Sequence, residues 1–313
     1  MYFVNAQKNR NDWWRYLVGI VIVGFAYLIL GSIPLALVVI LKTMNGSPMD
    51  MATFMETYNT EAIGINQNLG LILLLFPSVF AFFVLWFVMT GLHGKKAGEI
   101  ASSEGRIRWS RLFSGAIIWL VLLVAAEWIF AYFNPENYQF HFNAAKFYPL
   151  LIIAFLFIPF QTWFEELLFR SYLMVGFGLA TRLRIAALLI TSIAFGLLHS
   201  FNPEVKEFGF LATMPYYVGF GIFAGILVIM DNGIELAFGV HAINNIYGAV
   251  FVTYESSVLK TPALWSIQKI NPWFLDLAFL LMAGIFIWIM SKLYSWNSWK
   301  RIFTPIPKLN SSS

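Results

Sequence analysis

The sequence has no cysteine and little charge. A chain without cysteine forms no disulfide, has no thiolate nucleophile and offers no thiolate ligand to a metal ion. Only 12% of its 313 residues are charged, whereas 59% are hydrophobic and the mean hydropathy is +0.72. An average soluble domain has about 25% charged residues. The composition therefore excludes an ordinary soluble domain and indicates a polytopic membrane protein.

No internal repeat of the inverted-transporter kind is evident, and we expect no cleavable signal peptide. The first apolar run follows Lys8, Arg10 and Arg15, lacks a small-residue cleavage site and is too long for the apolar part of a signal peptide. We expect this run to be retained as a membrane helix. We expect the whole chain, 1–313, to form a single membrane domain.

Apolar runs of membrane-crossing length recur along the chain. A helix needs about 20 mostly apolar residues to cross the hydrocarbon core of a bilayer. This requirement predicts an all-α fold, a polytopic transmembrane bundle of about eight helices. The predicted spans lie near 16–42, 69–92, 113–133, 148–180, 184–200, 208–230, 234–254 and 273–292.

Positive charge is distributed unevenly among the loops. It is concentrated in the arm before the first span, in 93–112, in 181–184 and in the tail after the last span. By the positive-inside rule, both termini are predicted to be cytoplasmic. Two exceptions are the acidic turn 231–235 and the loop 254–272, which carries Lys260 and Lys269 on the side predicted to be external.

The net charge of +4 is largely accounted for by these cytoplasmic loops. Anionic lipid headgroups are a sufficient partner for them, so we expect the bilayer and no nucleic acid as a binding partner. The loops are compact and no organellar targeting segment is evident. These features favour a prokaryotic plasma membrane.

Three apolar segments contain ionisable or amide side chains. Such residues are costly inside a bilayer, so they indicate a functional site that faces the protein interior. They are Glu165, Glu166 and Arg170 in PFQTWFEELLFR, His199 in AFGLLH, and His241 with Asn245 in FGVHAINN.

Helical spacing separates the two glutamates. Glu166 and Arg170 are four residues apart and share a helix face, which predicts an ion pair between them. Glu165 is rotated by about 140° from Arg170, so its carboxylate is left for chemistry. Glu165 is thus the candidate general base. The alternative is that both glutamates reach the interface at the end of a short span.

The turn at 181–184 relates Glu165 to His199. Each lies about 17 residues from that turn, so an antiparallel hairpin would place both about 25 Å from it, at the same depth. This arrangement requires the helix over 150–180 to be long or tilted. A histidine alone on an apolar face is usually a core residue, but the carboxylates and the face shared by His241 and Asn245 favour a site.

The ordered patterns Glu165-Glu166-x-x-x-Arg170, Phe195-x-x-x-His199 and His241-x-x-x-Asn245 resemble the three signature motifs of the CPBP family. That family contains the type II CAAX prenyl endopeptidases and the bacterial Abi proteins of bacteriocin processing and self-immunity. The resemblance covers about 148–252, the expected protease core. Residues 1–147 match nothing specific, and their role is unassigned.

The resemblance implies an eight-helix membrane endopeptidase that cuts peptides or membrane proteins without a covalent intermediate. Glu165 and His199 would then activate the attacking water, and His241 with Asn245 would stabilise the oxyanion. Glu166 and Arg170 would brace the site. Ser171 stands where a glycine is common in the family.

Other functions remain open. The family has also been described as metalloproteases, and two histidines with a carboxylate could hold zinc. The compact His-Glu-x-x-His helix is missing, so the metal-free mechanism is favoured and no cofactor is expected. A secondary transporter that uses the buried residues as a proton relay, or a non-enzymatic immunity protein, would explain the same residues.

Overall fold

Long apolar helices dominate the computed structural model, which describes residues 2–308. Six helical segments of this part of the chain are long and apolar enough to cross a membrane. They are Trp13–Met44, Gln67–Leu92, Trp109–Phe133, Ala144–Thr181, Phe210–Asp231 and Pro272–Leu293. The predicted class, a polytopic helical bundle, is confirmed.

The α-helical elements are numbered here along the chain. They are α1 Tyr2–Ala6, α2 Trp13–Phe25, α3 Ile33–Met44, α4 Met51–Thr57, α5 Gln67–Phe87, α6 Ala97–Ala101, α7 Trp109–Phe133, α8 Ala144–Glu166, α9 Met174–Thr181, α10 Arg184–Leu198, α11 Pro203–Phe208, α12 Phe210–Asp231, α13 Glu235–Val250 and α14 Pro272–Leu293. Short 3₁₀ helices cover Thr60–Ile63, Pro135–Asn137 and Trp299–Ile302.

Two of the eight predicted spans form helices that are shorter than a bilayer crossing. The helix α10 has 15 residues and α13 has 16, which corresponds to about 22–24 Å at 1.5 Å per residue. The hydrocarbon core is about 30 Å thick. Most side chains of α13 are buried. This helix therefore lies within the bundle, where its length need not match the lipid.

Three segments continue α-helices as π-helix, which the apolar pattern does not predict. They are Ala26–Leu30, Val88–Leu92 and Leu167–Leu173. The third follows Glu166 directly and joins α8 to α9, so Ala144–Thr181 is one helix of 38 residues. This is the long helix that the predicted hairpin requires. Single π-helical turns occur frequently at functional sites.

A small sheet of three short strands lies between the ends of the helices and was not predicted. The strands are β1 Tyr138–Phe140, β2 Val252–Tyr254 and β3 Trp265–Ile267. The central strand, β3, pairs antiparallel with β1 and parallel with β2. The sheet therefore ties the loop before α8 to the loop after α13.

The segments rich in positive charge meet at one end of the bundle. The hydroxyl oxygen of Tyr2 lies 2.6 Å from the Ile100 carbonyl oxygen and 2.5 Å from Ser171 Oγ. Leu183 forms a β-bridge with Pro305 of the tail. The arm, the 93–108 loop, the 181–184 turn and the tail therefore share this end, as the predicted topology requires.

Two basic residues explain the acidic turn at 231–235, which was an exception to the charge rule. Arg108 Nη2 lies 2.6 Å from Glu235 Oε2 and 2.9 Å from Asp231 Oδ2. Arg111 Nε lies 3.1 Å from Asp231 Oδ1. The loop before α7 thus supplies the positive charge that the turn itself lacks.

Lys95 is a buried cation at the same end. Its side chain is only 5% exposed, and its Nζ donates at 3.4 Å to the Ser171 carbonyl. Burial lowers the pKa of Lys95 to about 8 from its ordinary value of 10.5, an effect that the Glu99 carboxylate partly offsets.

Candidate active site

The long helix Ala144–Thr181 carries both glutamates near its middle. Successive residues of an α-helix point about 100° apart, so Glu165 and Glu166 face different neighbours. The Glu166 side chain is fully buried, whereas that of Glu165 is 18% exposed. The two carboxylates therefore have different environments, as their spacing predicts.

Glu166 forms the predicted ion pair with Arg170 and a second contact that the spacing does not predict. Its Oε1 lies 3.2 Å from Arg170 Nη1 and 2.8 Å from His241 Nδ1. A carboxylate oxygen only accepts hydrogen bonds, so Nδ1 of His241 carries a proton and donates the hydrogen bond to Glu166. Glu166 thereby fixes the orientation of the His241 ring from across the helix interface.

The Glu165 carboxylate is held at one oxygen and unbonded at the other. Its Oε1 accepts a short hydrogen bond from the Gln161 amide, one turn earlier in α8. Its Oε2 lies 3.6 Å from Nε2 of His241, beyond hydrogen-bond distance. This buried Oε2 has no hydrogen-bond partner among residues 2–308. Its lone pairs therefore remain open to a proton.

The helix α13 presents His241 and Asn245 toward α8. Residues four apart share one helix face, and both side chains reach the glutamate region. Asn245 Nδ2 donates to Gln161 Oε1 at 3.2 Å. The predicted shared face is therefore present, and Gln161 links Asn245 to Glu165.

His199 stands at the end of α10, against the same aromatic residue as His241. Its Nδ1 bonds the Phe195 carbonyl at 2.7 Å, so Nδ1 carries the proton and Nε2 has a free lone pair. Its ring centroid lies 4.5 Å from that of Phe195, which is itself 6.1 Å from the His241 ring. Glu165 lies close enough to His199 for an electrostatic interaction. The Tyr217 ring stacks on that of His199, with the ring centroids 4.4 Å apart.

Two residues of this region, Gln161 and Tyr217, are absent from the motifs that the sequence suggests. The position of Gln161, four residues before Glu165, places both on one helix face, which was the available signal. Tyr217 belongs to α12, and no local spacing relates it to His199. Only the packing of α10 against α12 reveals it.

Each histidine of the site uses one ring nitrogen in a hydrogen bond. Among residues 2–308, no three His, Asp or Glu side chains are placed to hold a metal. Nδ1 of His241 is bonded to Glu166, and Nδ1 of His199 is bonded to a backbone carbonyl. These bonds leave Nε2 of both rings available, and metal-binding histidines are oriented by bonds of the same kind.

Comparison with known proteins gives the same family as the motifs. Residues 144–247 match the model of a protein family described as type II CAAX prenyl endopeptidase Rce1-like. The family resemblance is confirmed. This endopeptidase-like segment, 144–247, contains every predicted site residue and extends from the start of α8 into α13.

Almost the whole chain is similar to a protein that is named only as uncharacterized. The chain is 29% identical over 298 residues to the uncharacterized protein YyaK of Bacillus subtilis (strain 168), covering 93% of this chain and 96% of the relative. No solved structure matches the chain. Six apolar helices indicate an integral membrane protein, and its residues 144–247 are similar to type II CAAX prenyl endopeptidases.

Proposed function

We propose that this protein is a metal-independent intramembrane endopeptidase with Glu165 as its general base. The observation that carries the proposal is the approach of Glu165 to His241, whose facing atoms Oε2 and Nε2 lie 3.6 Å apart. Each of the two side chains is fixed by a hydrogen bond to a second residue, Glu165 to Gln161 and His241 to Glu166. A carboxylate and an imidazole fixed in this way define a reaction centre between them.

In the proposed reaction, Glu165 Oε2 takes a proton from water while Nε2 of His199 orients that water. The water oxygen bonds to the carbonyl carbon of the peptide, and the carbonyl oxygen becomes an oxyanion. The C–N bond then breaks, and Glu165 returns the proton to the leaving nitrogen. The products are a carboxylic acid and an amine, and the acid then passes its proton to the amine to give a carboxylate and an ammonium group.

The proposed oxyanion site consists of His241 and Asn245. When Nε2 of His241 is protonated, the ring is an imidazolium whose charge the Glu166 carboxylate stabilises at Nδ1. The Asn245 amide has a second N–H besides the one that Gln161 accepts. Both groups are fixed before the reaction, as stabilisation of a developing charge requires.

The proposed substrates are peptides or membrane proteins that reach the site within the bilayer. The family that residues 144–247 match is described as type II CAAX prenyl endopeptidases, which supports a peptide substrate. The Bacillus relative favours a bacterial plasma membrane as the location. Both termini are proposed to be cytoplasmic. The clustering of the basic segments at one end of the bundle supports that orientation.

Cleavage by purified protein tests the proposal. Wild type and Glu165→Gln are incubated in detergent and in liposomes with a quenched-fluorescent peptide library, and the products are identified by mass spectrometry. Half of the samples contain a metal chelator. Glu207→Gln, the same change at an exposed glutamate, is the control. We expect cleavage by wild type and by the control, with or without chelator, and cleavage slower by about 10²–10⁴-fold for Glu165→Gln.

Four results would contradict this proposal. Full cleavage by Glu165→Gln would exclude Glu165 as the base. Loss of cleavage with chelator, restored by zinc, would indicate a metalloprotease. Proton-coupled flux in the liposomes without any cleavage would favour a transporter, whereas absence of both activities would favour an immunity protein.

A further inference from the structure

Four side-chain hydrogen bonds connect Trp119 in α7 to Glu165. Trp119 Nε1 donates to Asn244 Oδ1 at 3.2 Å, and Asn244 Nδ2 donates to Asn245 Oδ1 at 3.4 Å. Asn245 Nδ2 donates to Gln161 Oε1 at 3.2 Å, and Gln161 Nε2 donates to Glu165 Oε1. The chain of bonds therefore runs from one side of α13 to the other.

The chemistry of the two ends fixes the direction of every bond. An indole N–H only donates, so the oxygen of Asn244 must face Trp119. Its amide nitrogen then faces Asn245, and the same reasoning sets the orientation of Asn245 and of Gln161. The last acceptor, the Glu165 carboxylate, only accepts. All three amides are thus oriented by Trp119 at one end and by a carboxylate at the other.

Close packing of α7 on α13 lets the indole reach Asn244. A methyl group at Gly239 would lie 2.2 Å from the Leu112 carbonyl oxygen, and one at Gly115 would lie 2.8 Å from that of Leu236. Small residues at such positions allow two helix backbones to approach closely. Trp119 itself is fully buried.

We infer that Trp119 is a positioning residue for the Glu165 carboxylate, acting through Asn244, Asn245 and Gln161. The bond from Gln161 holds Oε1 and so keeps Oε2 directed at His241. The inference rests on the proposed role of Glu165. It gives α7, which lies outside the endopeptidase-like segment, a function in the reaction.

The first test is Trp119→Phe, which removes the indole N–H and keeps an aromatic ring. Loss of one positioning hydrogen bond should lower kcat about five- to tenfold and leave KM unchanged. Asn244→Leu interrupts the same series of hydrogen bonds at the next residue and should lower kcat by the same factor. The matched control is Trp128→Phe, the same change at a residue of α7 that is 77% exposed, and it should retain wild-type kcat.

The second test combines Trp119→Phe with Gln161→Met. These residues belong to different helices and are linked only through the series of hydrogen bonds. The double variant should therefore have the kcat of Gln161→Met alone. Independent effects would multiply instead. Multiplying losses, or a kcat for Trp119→Phe equal to that of Trp128→Phe, would overturn the inference.

A measurement without substrate separates this inference from the proposed function. The unfolding equilibrium constants of wild type, both single variants and the double variant are measured in mixed detergent micelles. If the two residues are connected, the change in this constant for the double variant should be several-fold smaller than the product of the changes for the two single variants. A change equal to that product would overturn the inference that Trp119 and Gln161 are connected. If wild type cleaves nothing, the endopeptidase proposal fails, and this coupling decides the inference alone.

Discussion

Glu166 Oε1 lies 2.8 Å from His241 Nδ1, although the two residues are 75 positions apart in the sequence. The same oxygen is 3.2 Å from Arg170 Nη1. One buried carboxylate thus neutralises a guanidinium and orients an imidazole. Glu165, its neighbour in sequence, lies in a separate and partly open environment.

The two glutamates should therefore differ in their effect on stability. Glu166→Gln leaves the buried Arg170 charge without its partner, which we expect to lower the free energy of unfolding by about 3–5 kcal/mol. Glu165→Gln should change it by less than about 1 kcal/mol, because no cation pairs with Glu165 in the described structure except a protonated His241. Unfolding in mixed detergent micelles measures both. Equal losses would contradict the division of roles.

Arg108 should contribute strongly to the stability of the protein, because it neutralises the acidic turn at 231–235. Arg108→Met leaves Asp231 and Glu235 facing each other with one cation fewer, and should cost about 3–5 kcal/mol. The control is Arg106→Met, since Arg106 is 77% exposed and pairs with Glu104 at the surface; its loss should stay below about 1 kcal/mol. Similar thermal unfolding of the two variants would refute the assigned role of Arg108.

Lys95 should make stability depend on pH in the alkaline range. Its pKa is about 8 in the folded protein and 10.5 ordinarily, so between these values the unfolded chain holds a proton that the folded chain lacks. Raising the pH through this range therefore stabilises wild type, and the cost of burying the charge is fully present only below pH 8.

Lys95→Met removes the free-energy cost of burying the Lys95 charge. We expect the variant to be more stable than wild type by about 2–3 kcal/mol at pH 7. The advantage should decline above pH 8 and vanish above pH 10.5. Unfolding curves measured from pH 7 to pH 10.5 test this, with Lys96→Met at the exposed neighbour as the control. An advantage that does not change with pH would contradict it.

The absence of cysteine makes the orientation directly measurable. Single cysteines at Glu255, whose side chain is 97% exposed, and at Arg106, 77% exposed, report on the two ends of the bundle. A membrane-impermeant maleimide should label Glu255→Cys in intact cells and Arg106→Cys only after the membrane is opened. The reverse pattern would place the termini outside.

The sequence predicts those parts of the site that depend on spacing within one helix. The pairing of Glu166 with Arg170 and the common face of His241 and Asn245 follow from positions four residues apart. The length of the helix that carries both glutamates also follows, because the hairpin at 181–184 requires it. These relationships are local and need no knowledge of which helices are neighbours.

The remaining features depend on contacts between distant segments. The bond of Glu166 to His241 and the stacking of Tyr217 on His199 require α8, α10, α12 and α13 to be placed in three dimensions. The π-helix at Leu167–Leu173 has no sequence signal comparable to the apolar periodicity of an α-helix. The acidic turn contradicted the charge rule in sequence because its counter-charges, Arg108 and Arg111, come from another loop.

The most direct test of the central claim is the cleavage rate constant of Glu165→Gln relative to wild type, measured with one peptide substrate at saturating concentration and with chelator present. An amide keeps the shape of the side chain but takes no proton from water, so we expect a loss of about 10²–10⁴-fold while folding is retained. A rate constant equal to that of wild type would contradict the assignment of Glu165 as the catalytic base.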